Sequence, residues 1–149
     1  MGQHDGSTAR ILIAERDRNV RELQLVFLSN AGFTVEFADD GQAALDRVRL
    51  DPPSLLITEI LIPKIDGLTL CRLVRNDVTL DGMPVIVFSI LAAGGRANDA
   101  GAAAFLRKPL VESTFLAAIN GVMMTVPTTI AAAVARVRWQ RLSRSRSRR

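Results

Sequence analysis

The chain has 149 residues, 48% of them hydrophobic and 23% charged, enough to build one ordinary core, which excludes a large multidomain enzyme. Its net charge of +4 is unevenly placed, because residues 1 to 135 hold 12 Lys and Arg against 15 Asp and Glu, while residues 136 to 149 carry seven Arg and no acid. A body of charge −3 thus precedes a tail of charge +7, and the single cysteine, Cys71, excludes an internal disulfide and suits a reducing cytoplasm.

In chain order, residues 1 to 8 read as a flexible polar start; with Asp5 and no apolar run, Met1 to Arg10 lacks the pattern of a secretory signal. His4 in this segment is remote in sequence from any other metal ligand. Ile11 to Ala14 is a continuous apolar run of strand length, the pattern of a parallel strand covered on both faces. Val20, Leu23, Phe27 and Ala31 then fall on one helical stripe closed by Gly32. Phe33 to Phe37 alternates with Thr34 and Glu36, as an edge strand does.

A second helix is predicted over residues 41 to 49, with Asp40 as N-cap and Ala44, Leu45 and Val48 inward. Leu55 to Thr58 is another buried strand; residues 68 to 75 form a third helix after Asp66-Gly67, with Leu70, Leu73 and Val74 inward and Cys71 a small core residue. Val85 to Phe88 and Ala103 to Leu106 are further strands, separated by a poorly specified helix around Arg96 to Ala100. The last helix spans residues 111 to 124, with Phe115, Ile119 and Val122 inward. Five strand-then-helix repeats with right-handed crossovers give an α/β, doubly wound, five-stranded parallel sheet with helices on both faces, its functional crevice at the carboxyl ends of the strands.

Those ends carry Glu15-Arg16-Asp17, Glu59, Ser89 and Lys108-Pro109, so carboxylates, a hydroxyl, a lysine and an arginine converge. Together with Ala38-Asp39-Asp40-Gly41, Pro63-Lys64-Ile65-Asp66-Gly67 and Phe105-Leu106-Arg107-Lys108-Pro109, in this order and spacing, residues 9 to 124 resemble a response-regulator receiver domain, the phospho-acceptor module of two-component signalling. The resemblance implies a flavodoxin-like sheet of strand order 2-1-3-4-5. It also implies an acid pair after the first strand and an aspartate after the third that bind Mg²⁺, the aspartate taking a phosphoryl group from a histidine kinase. Ser89 and Lys108 match the groups that contact the phosphoryl oxygens, Phe105 matches the switch aromatic, and Glu15 is an acceptable first acid.

Two positions depart from that pattern. Arg16 stands where an acid should hold the metal, and a guanidinium has no acceptor atom and repels a divalent cation. Glu59 stands in place of the phospho-acceptor aspartate, its carboxylate one bond further from the backbone, and positioning dominates phosphoryl transfer. Arg16 is expected to pair with Glu59, Glu15 or both, replacing the metal charge, so that Mg²⁺ binding is lost and no cofactor remains. Whether such a locked state resembles the phosphorylated or the resting form is left open. The interval from Ser89 to Lys108 is short by about one helical turn, which points to a lost or remodelled turn in the fourth helix.

No charge occurs from Ser113 to Ala135, but Asn120, Gly121 and Pro127 and the many alanines argue against a membrane span. Residues 125 to 149 read as a basic helix or tail in which Ile130, Val134 and Val137 share a face, followed by arginines around Trp139. The resulting expectation is a cytoplasmic, non-enzymatic, non-phosphorylatable receiver that works through signalling partners, a histidine kinase or output protein, with a homodimer open. The alternatives are an accessory protein whose arginine tail contacts nucleic acid or an anionic membrane, and a conventional phosphorelay receiver.

Overall fold

The computed structural model describes residues 8–125; the first seven residues and the arginine-rich segment, with the readings made for them, lie outside the described residues. Five strands alternate with five helices: β1 (Arg10–Ala14), α1 (Arg18–Asn30), β2 (Thr34–Ala38), α2 (Gly41–Leu50), β3 (Leu55–Thr58), α3 (Gly67–Asn76), β4 (Val85–Ser89), α4 (Gly94–Asp99), β5 (Ala104–Arg107) and α5 (Glu112–Thr125). The sheet is wholly parallel in the order β2-β1-β3-β4-β5, as the resemblance implied.

Strand alternation sorts the core into two layers. Ile11, Ile13, Leu55, Ile57, Ile86 and Phe88 face α1 and α5, where Phe88 meets Phe115 with ring centroids 5.9 Å apart. Leu12, Ala14, Leu56, Val85 and Val87 face α2, α3 and α4 on the other side. The buried, continuous runs of β3 and β4 are those of central strands covered twice. β5 carries the same apolar signal but lies at the sheet edge, is only partly buried, and begins one residue later than its sequence suggested.

Two helices are rotated from the faces read in the sequence. In α1 the inward positions are Val20, Gln24, Phe27 and Leu28, whereas Leu23 is 46% exposed and Ala31 has left the helix as its C-cap. The run from Leu23 to Leu28 is apolar at every position but Gln24, so its period cannot fix the phase. Gln24 is buried, and among the described residues neither of its amide atoms has a hydrogen-bond partner. In α3, Cys71 takes the inward position and Leu73 turns outward.

The segment joining β3 to α3 is held by two close backbone approaches. Gly41 donates its N–H to Pro63 O at 3.1 Å, and Gly67 donates to Ile60 O at 2.9 Å. A Cβ at Gly41 would lie 1.9 Å from Ile65 O, and one at Gly67 would lie 2.1 Å from Glu59 O. The aspartate before each glycine caps the helix that follows, Asp40 through Ala43 N–H and Asp66 through Leu68 and Thr69 N–H. The Asp-Gly pairs therefore both start helices and clamp the loop that leaves Glu59. Gly67→Ala is expected to lower unfolding free energy by about 1–3 kcal/mol through overpacking, measured by urea denaturation; an unchanged midpoint would refute the clamp.

Candidate functional site

Parallel pairing brings the ends of β1, β3, β4 and β5 to one edge of the sheet. Glu59 donates its backbone N–H to Ala14 O at 3.0 Å, and Lys108 donates to Ser89 O at 2.9 Å, so the strands deliver these four residues in register. Glu15, Glu59 and Ser89 are all buried. The Lys108 ammonium lies 2.9 Å from Glu15 Oε1 and 2.9 Å from Glu59 Oε2, and 5.5 Å from the Phe88 ring. Its contact with Glu15 is a charge pair without hydrogen-bond alignment.

The second oxygen of Glu59 is fully engaged. Oε1 accepts from Ile60 N–H at 2.7 Å, from Leu61 N–H at 3.2 Å and from the Ser89 hydroxyl. Ser89 Oγ in turn accepts from Leu91 N–H at 3.3 Å. Burial pushes Glu59 up, but the hydrogen bonds from Ser89, Lys108 and Leu61, with the Lys108 charge, outweigh it and hold the carboxyl below its ordinary value. Lys108 mirrors this: burial pulls it down, and contacts with Glu59 and Glu15 raise it above the usual lysine value.

Arg16 is not part of this network. It is exposed and makes no ion pair or hydrogen bond among the described residues, so the expected pairing with Glu59 or Glu15 does not form. Lys108 is the cation that pairs with both carboxylates instead. The arginine that does support the site is Arg21, which sequence reasoning passed over. From α1 it donates to the backbone oxygens of Glu15 and Ala38 and to Asp39 Oδ1, and it covers the Phe37 ring at 5.3 Å. A long cation at the inner edge of a helix, followed by two carboxylates after β2, was the available signal.

Asp17 contributes in two ways: its side chain caps α1, and its N–H donates to Glu15 Oε2 at 3.2 Å, fixing that carboxylate. Phe105 is half-buried on β5, and a methyl group at Gly94 would stand 3.5 Å from its ring. In the interval before it, α4 has six residues and no side-chain cap. Only two carboxylates converge at the crevice and both are paired with Lys108; among the described residues no group of three His, Cys, Asp or Glu side chains could hold a metal.

The pH dependence follows from the two shifts. Glu59, with its carboxyl lowered, adds stability that is full above the ordinary glutamate value of 4.5 and is lost as pH falls through its folded value. Lys108, raised, adds stability that is full below 10.5 and is lost as pH rises through its folded value. Lys108→Met strands two buried carboxylates and is expected to cost about 3–5 kcal/mol at pH 7. In denaturant titrations the gap between wild type and variant should narrow on acidification below the Glu59 window; a gap independent of pH would refute the pairing.

The family model described as the response regulator receiver domain matches residues 11–120. Response regulator MprA of Mycobacterium leprae is 37% identical over 130 residues, covering 85% of this chain and 56% of its own length. The Mycobacterium tuberculosis (H37Ra) MprA is 35% identical over 119 residues, covering 78% of this chain and 51% of its own. The chain thus spans about half the length of the curated relatives it matches. Among solved structures, the receiver domain of a signal transduction histidine kinase from Syntrophus aciditrophicus superposes with TM-score 0.76 at 28% identity, over 82% of this chain and 95% of that one. Chemotaxis response regulator CheY4 of Vibrio cholerae shares the fold, with TM-score 0.72 at 23% identity over 77% of this chain and 98% of that one. With strand order and family match in agreement, the chain belongs to the response-regulator receiver domain family of two-component signalling.

Proposed function

We propose that this receiver does not turn over phosphate and acts as a protein-interaction module held in one state by its own Glu59. The observation that carries this reading is the saturation of the Glu59 carboxylate: one oxygen takes Ser89 and two backbone N–H groups, and the other takes Lys108. Ser89 and Lys108 are the groups which, by the resemblance, would meet phosphoryl oxygens. A carboxylate that already holds both is a poor nucleophile, because attack requires it to give up its donors and present a free lone pair.

The donor set also does not fit Mg²⁺. A hard divalent ion needs about six oxygens, and here two carboxylates share an ammonium while Arg16 supplies no oxygen. The reading is therefore of a metal-independent receiver without enzymatic activity, in a cytoplasmic pathway, whose partner is a histidine kinase or an output protein. Because Glu59 draws Ser89 and Lys108 toward itself, the phosphorylated-like state is the one we assign. Among the described residues no helix is long and apolar enough to cross a membrane.

Incubation of the full chain with Mg²⁺ and acetyl phosphate, followed by intact-mass measurement, is expected to return the unmodified mass. A stoichiometric adduct mapped to Glu59 would sink the proposal. In the same assay the double variant Arg16→Asp with Glu59→Asp should gain one phosphoryl group, since Glu15, Ser89 and Lys108 are already in register.

A further inference from the structure

Where β5 leads into α5 there is a cavity of about 220 Å³. Its lining is apolar except for Arg107 and Thr114, and its walls include Phe88, Leu106 and Phe115. Phe88 and Phe115 stand with ring centroids 5.9 Å apart and planes tilted by 43°, so an incoming ring can stack on one and meet the edge of the other. Small-molecule sites are mostly apolar, carry a few polar groups that fix orientation, and run to roughly 300–1,000 Å³. A cavity below that range selects a ligand no larger than one ring with a short substituent.

The polar residues decide what that substituent is. Arg107 is the only charged residue of the lining, and no carboxylate lies within ion-pair distance of it among the described residues. Glu112, the acid nearest to it in sequence, does not line the cavity and does not pair with it. Arg107 Nε donates to Ile90 O at 3.3 Å, which ties down one nitrogen of the guanidinium and leaves the two terminal nitrogens for an acceptor. A carboxylate matches such a fork with two hydrogen bonds, and the Thr114 hydroxyl offers one more.

The cavity also shares a wall with the crevice. Phe88 lines it, and the same ring lies 5.5 Å from the Lys108 ammonium, while Arg107 and Pro109, the two chain neighbours of Lys108, line it as well. A molecule that displaces the Phe88 ring therefore changes the surroundings of the cation that holds Glu15 and Glu59. We propose that this cavity binds a small free aryl carboxylate, its ring against Phe88 and Phe115 and its carboxylate on Arg107, and that Phe88 relays its presence to Lys108. The proposal stands whether or not Glu59 takes a phosphoryl group.

Phenylacetate is the probe, titrated into the full chain with its amides and lysines isotope-labelled for NMR. The amide signals of Leu106, Thr114 and Phe115 should shift saturably with a dissociation constant on the order of 1 mM, the range open to a ligand of this size; no saturation at concentrations about twentyfold higher overturns the site. Phenylacetamide, of the same shape without the charge, should bind about tenfold more weakly, and so should phenylacetate to the exposed-site variant Arg107→Gln. Equal binding in either comparison overturns the carboxylate assignment. The chain has two lysines, and Lys64, 66% exposed and paired with Asp40, is the internal control. The ε-carbon signal of Lys108 should move with the same saturation curve while that of Lys64 stays; a Lys108 signal that stays while the amides saturate overturns the relay. Tighter binding of an acetylated peptide that ends in phenylalanine with a free carboxylate would assign the cavity to the C-terminus of a protein and overturn a free acid as its ligand.

Discussion

A single ammonium held between two carboxylates organises the crevice. Glu15 and Glu59 are buried at neighbouring strand ends, and two carboxylates brought to one low-dielectric crevice repel each other unless a cation stands between them. Lys108 is that cation, 2.9 Å from each. It reaches them because β5 lies beside β4 in the register that pairs Ser89 with Arg107, which puts Lys108 one step beyond the sheet. Strand order, register and site electrostatics are therefore one constraint. A slip of one residue in β5 would turn the ammonium to the other face of the sheet and strand both acids.

The loop leaving Glu59 is the second half of that arrangement. Ile60 and Leu61 can offer their N–H groups to Glu59 only if the chain turns sharply after β3, and Gly41 and Gly67 permit this by letting two helix starts approach the loop backbone. Lys64 adopts φ of 70° within the turn and its ammonium lies 3.5 Å from Asp40, which also caps α2. Two Asp-Gly pairs, 26 positions apart in sequence, thus determine where one carboxylate oxygen points.

Much of this was legible in the chain. The strands were visible as apolar runs, and Glu15, Glu59, Ser89 and Lys108 could be placed together because parallel topology forces consecutive strand ends to one edge. What escaped the sequence was phase and contact. The face of α1 was ambiguous because nearly every residue from Leu23 to Leu28 is apolar, so Gln24 could not be seen as buried. β5 reads as a central strand although it is an edge, since an apolar run reports hydrophobicity and not neighbours. Arg16 was given a pairing it does not make and Arg21 was passed over for a similar reason: charge is visible in sequence, but the direction of a long side chain is set by the acceptors within reach. Arg21 bonds to three, in Glu15, Ala38 and Asp39, and Arg16 makes no hydrogen bond or ion pair among the described residues.

Arg16 still matters to the electrostatics of the crevice without touching it. Consider an acid at that position beside Glu15, Glu59 and Lys108: the group would carry two net negative charges, the deficit that a divalent cation fills. With arginine there instead, the four side chains are neutral as a set. Because Arg16 is exposed, its own attraction for the carboxylates is weakened by water and salt. The larger effect is the negative charge that is no longer there. Glu59 acts from the other side, since its carboxylate reaches both the Ser89 hydroxyl and the Lys108 ammonium, so the two positions act on different terms of the same balance, Arg16 on the net charge of the crevice and Glu59 on the donors that line it.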